Sequence, residues 1–178
     1  MTSKLADIEA LAATLPARHI CREDGTRYLS RYRLHGWMPL DQTETPCSVY
    51  LHNIHLEDND QALHSHPWAW SQTMCLWGGY IEERGLLMPD GSLVREEDRE
   101  LFLGRSNFMG PNDVHRIATL RPNTWTLFFV GPKRQSWGFY VEGRGLVPWR
   151  ERLAERGIVP DYAPTQLERE ARERIEGR

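Results

Sequence analysis

Between Ser48 and Glu142 the chain reads as one short strand-like run after another, and this succession constrains its fold more than any other feature. The runs are SVYLHNIHL, AWSQTMCLW, GYIEERGLLM, SLVREE, RELFLG, VHRIATL, TWTLFFVG and SWGFYVE. Each is rich in β-branched, aromatic or aliphatic residues. Turn chemistry separates them at Glu57-Asp58-Asn59-Asp60, Gly78-Gly79, Pro89-Asp90-Gly91, Gly110-Pro111-Asn112-Asp113, Arg121-Pro122-Asn123 and Gly131-Pro132. No helical stretch between them could make parallel crossovers, so the reading is all-β, a sandwich or a barrel.

The flanks differ. Leu5, Ile8, Ala12 and Leu15 recur at helical spacing, Thr2 and Ser3 can cap, and Pro16 stops the pattern, which predicts a helix over 1–16 packed on the outside of the strands. Residues 18–47 read as a hairpin, turning at Glu23-Asp24-Gly25-Thr26, with a polar loop from Pro39 to Pro46 after it. From 148 to 178 the pattern is helical again: WRERLAERG, then TQLEREARERIEGR with Leu167, Ala171 and Ile175 four residues apart and ordinary solvated Glu–Arg pairs. With 178 residues, 40% of them hydrophobic, the expectation is a single domain with one core at 48–142.

Composition excludes several classes. A net charge of −3 gives no general attraction to nucleic acid or an anionic membrane. Cys21, Cys47 and Cys75 are odd in number and follow no zinc-ribbon or CxxC spacing, so reduced thiols are expected. The N-terminal stretch lacks the basic flank and apolar run of a signal peptide, and no window approaches a membrane span, which together predict a soluble cytoplasmic protein. Walker, GxGxxG, GxSxG and HExxH motifs are absent.

Chemistry concentrates in the seven histidines. His64 and His66 form an H-x-H in ALHSHPW, and on an extended segment both side chains point to the same side, where both imidazoles can reach one ion. His115 opens the run VHRIATL and could come from a neighbouring strand. Two histidines from one strand and one from another would make a three-nitrogen face with open positions. His52 and His55, three apart, face opposite ways on a strand, so at most one points inward. His19 and His35 read as surface or edge residues. If the histidine strand runs on without a bulge, Trp70 and Gln72 share the parity of His64 and His66 and line the cavity. Arg27, Arg31 and Arg33 fall on one face of RYLSRYRL, with Tyr28 and Tyr32 on the other; a charged edge strand is the favoured reading, an anion-binding arginine the other. Arg116 should point away from His115 and be structural.

Around these residues the sequence resembles the two motifs of the cupin family over roughly residues 48 to 142. His64 and His66 stand for the first motif's H-x-H, with Gly78 at the motif's glycine if Ser71 occupies the acid's place; Gly104 stands eleven residues before His115, as the second motif asks, although Pro111 sits one residue late. The resemblance implies a double-stranded β-helix, jelly-roll-like barrel and one divalent metal ion on His64, His66 and His115. Iron is the leading candidate, with zinc, nickel or manganese as others. Ser71 and Gln72 replace the motif's carboxylate, so the ion's charge is left for an anionic ligand to balance, as in the three-histidine thiol dioxygenases that the ligand set is similar to. The expectation is an oxygenase-type enzyme acting on a small anionic molecule, with Trp70, Ser71, Gln72 and Arg31 as pocket residues. Two alternatives stay open: a non-catalytic binding cupin, and a metal-free epimerase or isomerase using Tyr50, Tyr80 or Tyr140 and a histidine paired with a carboxylate. A homodimer is expected because cupins often pair. Whether Glu82, Glu83, His52 or His55 joins the coordination shell is left to three-dimensional position.

Overall fold

Turn-punctuated runs of alternating character, too short to bury one face alone, pair into antiparallel sheets. The computed structural model describes residues 2–22, 24–34 and 47–157. Within these residues helix α1 (Thr2–Ala13) precedes twelve strands, and helix α2 (Trp149–Glu155) comes after them. The strands are β1 (Ala17–Cys21), β2 (Arg27–Arg33), β3 (Ser48–Ile54), β4 (Ser71–Trp77), β5 (Gly79–Leu87), β6 (Leu93–Arg95), β7 (Arg99–Phe102), β8 (Ser106–Met109), β9 (Asp113–Leu120), β10 (Thr124–Val130), β11 (Gly138–Val141) and β12 (Gly145–Pro148). The Pro39–Pro46 loop and the second C-terminal helix expected from sequence lie outside the described residues.

One sheet runs β1-β2-β3-β10-β4-β8. In the other, β5 pairs β9 along one edge and β6 and β7 along the opposite edge. Single bridges from His64 to His115 and to Phe139 then link β9, through residue 64, to the β11-β12 hairpin. All strand pairings among the described residues are antiparallel. This is the all-β, jelly-roll-like class expected, and the described residues build it as two facing sheets without a hydrogen-bonded closed barrel. Strand β12 has no clear signal in the sequence; GLVP is four residues long and starts at the last residue of the Gly143-Arg144-Gly145 corner, where both glycines have positive φ.

The two sheets share one apolar cluster: Leu29, Ile54 and Cys75 from the first against Tyr80, Leu101 and Ile117 from the second. The outer face of the first sheet is also buried. There Leu51 and Trp125 receive Ala12 of α1, with Leu5, Ile8 and Leu15 around them, as the helical spacing predicts. At Gly78-Gly79 the chain turns from β4 into β5. Gly78 has φ of 69°, and a Cβ there would lie 2.8 Å from the backbone of Thr124, so only glycine fits the corner. Cys21, Cys47 and Cys75 are free thiols.

Candidate metal centre

The apolar cluster fills one part of the space between the sheets; strand register places the histidines beyond it. His64 and His115 exchange both backbone hydrogen bonds, His64 N–H to His115 O at 2.8 Å and His115 N–H to His64 O at 3.0 Å. Directly paired antiparallel residues carry their side chains on the same face, and a residue two positions along is the diagonal neighbour. His66 therefore joins them. Residues 63 to 65 are held on the other side by β11, through Ser65 N–H to Gly138 O at 2.9 Å and Tyr140 N–H to Leu63 O at 2.7 Å.

One nitrogen from each of His64, His66 and His115 lies within 4.8 Å of the other two. His66 Nε2 and His115 Nε2 are 2.9 Å apart. Two nitrogens each about 2.1 Å from one ion and at about a right angle to each other stand about 3.0 Å apart, so this spacing suits a shared ion with further positions open. His115 Nδ1 lies 3.0 Å from Glu82 Oε2, and the Glu82 carboxylate is fully buried. That hydrogen bond keeps the proton on Nδ1 and leaves the Nε2 lone pair facing His66. His64 Nδ1 lies 3.9 Å from Asp58 Oδ2, and the two Asp58 oxygens accept hydrogen bonds from Tyr28 Oη and the Ile117 N–H.

Glu82 is itself held. Asn107 Nδ2 donates to its Oε1, and Arg84 Nη1 lies 3.4 Å from the same oxygen. Asn107 Oδ1 accepts from Arg84 and from Arg99, and Arg84 continues to Glu96 at 3.3 Å and Asp113 at 3.4 Å. The β5 alternation Tyr80, Glu82, Arg84 thus lines the interior, while Glu83 pairs with Arg116 on the opposite face, the structural role expected for Arg116. Sequence motifs leave Glu82 undecided because they place an acid between the H-x-H and the glycine. The signal is present instead in the parity of β5, where Tyr80 points into the core.

Burial is the main cause that pulls His64 down to about pKa 4, with Asp58 acting the other way, and it also holds His66 well below the ordinary histidine range. Both are neutral near pH 7, the state in which imidazole binds metal.

The aromatic wall differs from the sequence expectation. Trp68 packs on His66 at 5.5 Å between ring centroids and on Phe128 at 5.4 Å. Trp70 and Gln72 are a correction: they are not brought to the histidines. Gln72 pairs with Phe108, which is 56% exposed, and Trp70 stacks on the same Phe108 and packs against Gly131. Parity does not carry from His66 to Ser71 because the chain crosses between sheets at Pro67–Trp70, tied by Ala69 N–H to Pro132 O. Ser71 is buried and shares the interior face with Thr73 and Cys75.

Of the remaining histidines, His52 points inward and His55 does not. His52 accepts a hydrogen bond from Arg31 Nε at 3.0 Å and packs on Phe128 at 4.9 Å. His55 Nε2 lies 2.9 Å from Ser30 Oγ, which also contacts His19. The edge-strand reading of Arg27, Arg31 and Arg33 is also corrected: β2 lies between β1 and β3, and the register Leu29↔Ile54, Arg31↔His52 turns Arg31 inward.

Burial first, then the charge of Arg31, keeps His52 neutral far below the usual pH. An unfolded chain protonates this histidine near pH 6.5 and the folded one does not, so the unfolded state binds more protons as pH falls. The metal-free protein is therefore expected to lose stability as pH drops below about 6.5. Urea midpoints of chelator-treated protein should decline between about pH 7 and pH 5, with a shallower decline for His52→Gln. A flat wild-type profile contradicts neutral burial.

No protein-family model and no curated protein matches the sequence. Among solved structures the chain is similar to hydroxypropylphosphonic acid epoxidase from S. wedmorenis, at 12% identity and TM-score 0.44, covering 67% of this chain and 56% of that one. It is similar to the polyketide cyclase RemF from Streptomyces resistomycificus at 17% identity and TM-score 0.46, over 75% of this chain and 85% of that one. A third likeness is KdgF from Halomonas sp., at 13% identity and TM-score 0.39, covering 60% and 82%. The chain thus spans little more than half the length of the epoxidase. Among the described residues, no helix is long and apolar enough to cross a membrane.

Proposed function

We propose that this chain is a metal-dependent enzyme of cupin type, in which His64, His66 and His115 hold one divalent transition-metal ion, iron in the leading case. Its reaction is oxygenase-type chemistry on a small anionic molecule. The observation that carries this reading is the convergence of the three imidazoles with Glu82 behind His115. A bound divalent ion supplies Lewis acidity toward an anionic substrate atom and, if it is iron, redox chemistry with dioxygen. The protein's part is positional. Glu82 fixes the His115 tautomer, and Asn107 and Arg84 fix Glu82. Trp68 and Phe128 form the apolar wall that keeps water from the histidines.

The His115–Glu82 pair also meets the requirement of a metal-free isomerase. Against that reading, His115 Nε2, which would have to act as the base, is turned to His66 Nε2 at hydrogen-bond distance. Oxygen uptake by iron-reconstituted protein, screened over small thiols and carboxylic acids, separates the two. Uptake abolished by chelation supports the oxygenase; isomerase turnover that survives full chelation overturns it.

A further inference from the structure

Arg31 is a guanidinium turned into the interior with no carboxylate to neutralise it among the described residues. Its Nε donates to His52 Nε2 at 3.0 Å and its Cζ lies 5.1 Å above the Tyr50 ring. No Nη–H of Arg31 makes a hydrogen bond among the described residues. The carboxylates around the histidines are engaged elsewhere: Glu82 by His115, Asn107 and Arg84, Asp58 by Tyr28 and the Ile117 N–H, Asp113 by Arg84 and the Gly110 N–H. Burial is the main cause that lowers the Arg31 pKa, so the charge is partly stripped of water. A partly desolvated cation with no counter-charge among the described residues is costly, and a bound anion offsets that cost.

A second observation points to the same place. The register Arg31↔His52 between β2 and β3, and His52↔Thr126 between β3 and β10, sets these three side chains in one row on the interior face. Thr126 is fully buried, and its hydroxyl has no hydrogen-bond partner among the described residues. An unpaired buried hydroxyl calls for a ligand atom or a bound water. Phe128 joins this row to the metal centre, with its ring 4.9 Å from that of His52 and 6.0 Å from that of His66.

We propose that the Arg31–His52–Thr126 row is an oxyanion subsite, in which the free edge of the Arg31 guanidinium takes the carboxylate or phosphate-type group of the substrate beside the three histidines. The subsite rests on the reading of the three histidines as a metal centre. It specifies the substrate as a molecule with an oxyanion at one end and a metal-binding atom at the other. His52 orients the guanidinium by accepting from Nε, and the Nη donors then meet two anion oxygens in parallel.

The probes are acetate and inorganic phosphate, titrated calorimetrically into zinc-loaded and chelated full-length protein, with zinc stoichiometry measured separately. One anion should bind per chain, and Arg31→Gln should weaken it about tenfold or more, as loss of a hydrogen bond to a charged group does, with zinc stoichiometry unchanged. Whichever probe binds more tightly identifies the oxyanion class. Wild-type protein supplies a test independent of variant folding: the anion should protect Arg31 from phenylglyoxal in peptide mapping. Equal affinity in folded Arg31→Gln, or Arg31 modified at the same rate with and without anion, overturns the subsite and leaves the metal centre standing. Anion binding at Arg31 in a chain that takes up no metal overturns the metal reading instead.

Discussion

Replacing His115 by alanine is expected to strip the chain of its metal ion. His115 supplies one of three converging nitrogens, and its Nε2 lies 2.9 Å from that of His66. Without it, two imidazoles on one short segment remain. Affinity should fall by more than the roughly 10–100-fold that loss of an outer hydrogen-bond partner costs. The substitution also leaves the buried Glu82 carboxylate without its His115 partner, although Asn107 and Arg84 still donate to it. Metal-free stability should therefore fall by about 1–3 kcal/mol, the cost of an unmet buried polar group. Zinc titration calorimetry and urea unfolding of chelated protein read the two effects separately. Wild-type affinity in folded His115→Ala contradicts the assignment.

Glu82→Gln should keep the fold and weaken metal binding. The Asn107 carbonyl oxygen accepts from Arg84 and Arg99, which forces the Asn107 amide nitrogen toward position 82, where it requires an acceptor. A glutamine there must give its oxygen to Asn107 and Arg84 and present its NH2 to His115. His115 Nδ1 then becomes the acceptor, its proton moves to Nε2, and the nitrogen facing His66 no longer has a lone pair for an ion. Metal affinity is expected to drop about 10–100-fold with little change in melting temperature. Glu82→Ala removes the acceptor altogether, leaves Arg84 and Asn107 short of a partner, and should destabilise by about 3–5 kcal/mol. Equal metal affinity in wild type and Glu82→Gln would show that Glu82 does not set the tautomer.

Much of this arrangement is legible in the sequence because it depends on local periodicity. H-x-H on an extended segment puts His64 and His66 on one side whatever the rest of the chain does, and the turn before His115 announces a new strand. Helix α1 and the hairpin of β1 and β2 emerge from spacing in the same way. Inferences that need a period to survive a change of sheet do not hold. Counting twos through Pro67 misplaces Trp70 and Gln72, because the chain leaves one sheet for the other there. Arg31 reads with its neighbours as charge on an edge, because nothing local says that β1 covers β2 on one side and that β3 brings His52 beneath the guanidinium. The role of Glu82 belongs to the same group. It depends on β5 and β9 pairing Arg84 with His115 and Glu82 with Ile117, a register set by tertiary structure.

The most direct test of the three-histidine centre is metal content by plasma mass spectrometry on untagged protein purified without chelator, and again after reloading with ferrous, zinc, nickel or manganese ions. The arrangement of His64, His66 and His115 predicts close to one transition-metal ion per chain. Protein that is metal-free as purified and retains none of these ions after reloading contradicts it.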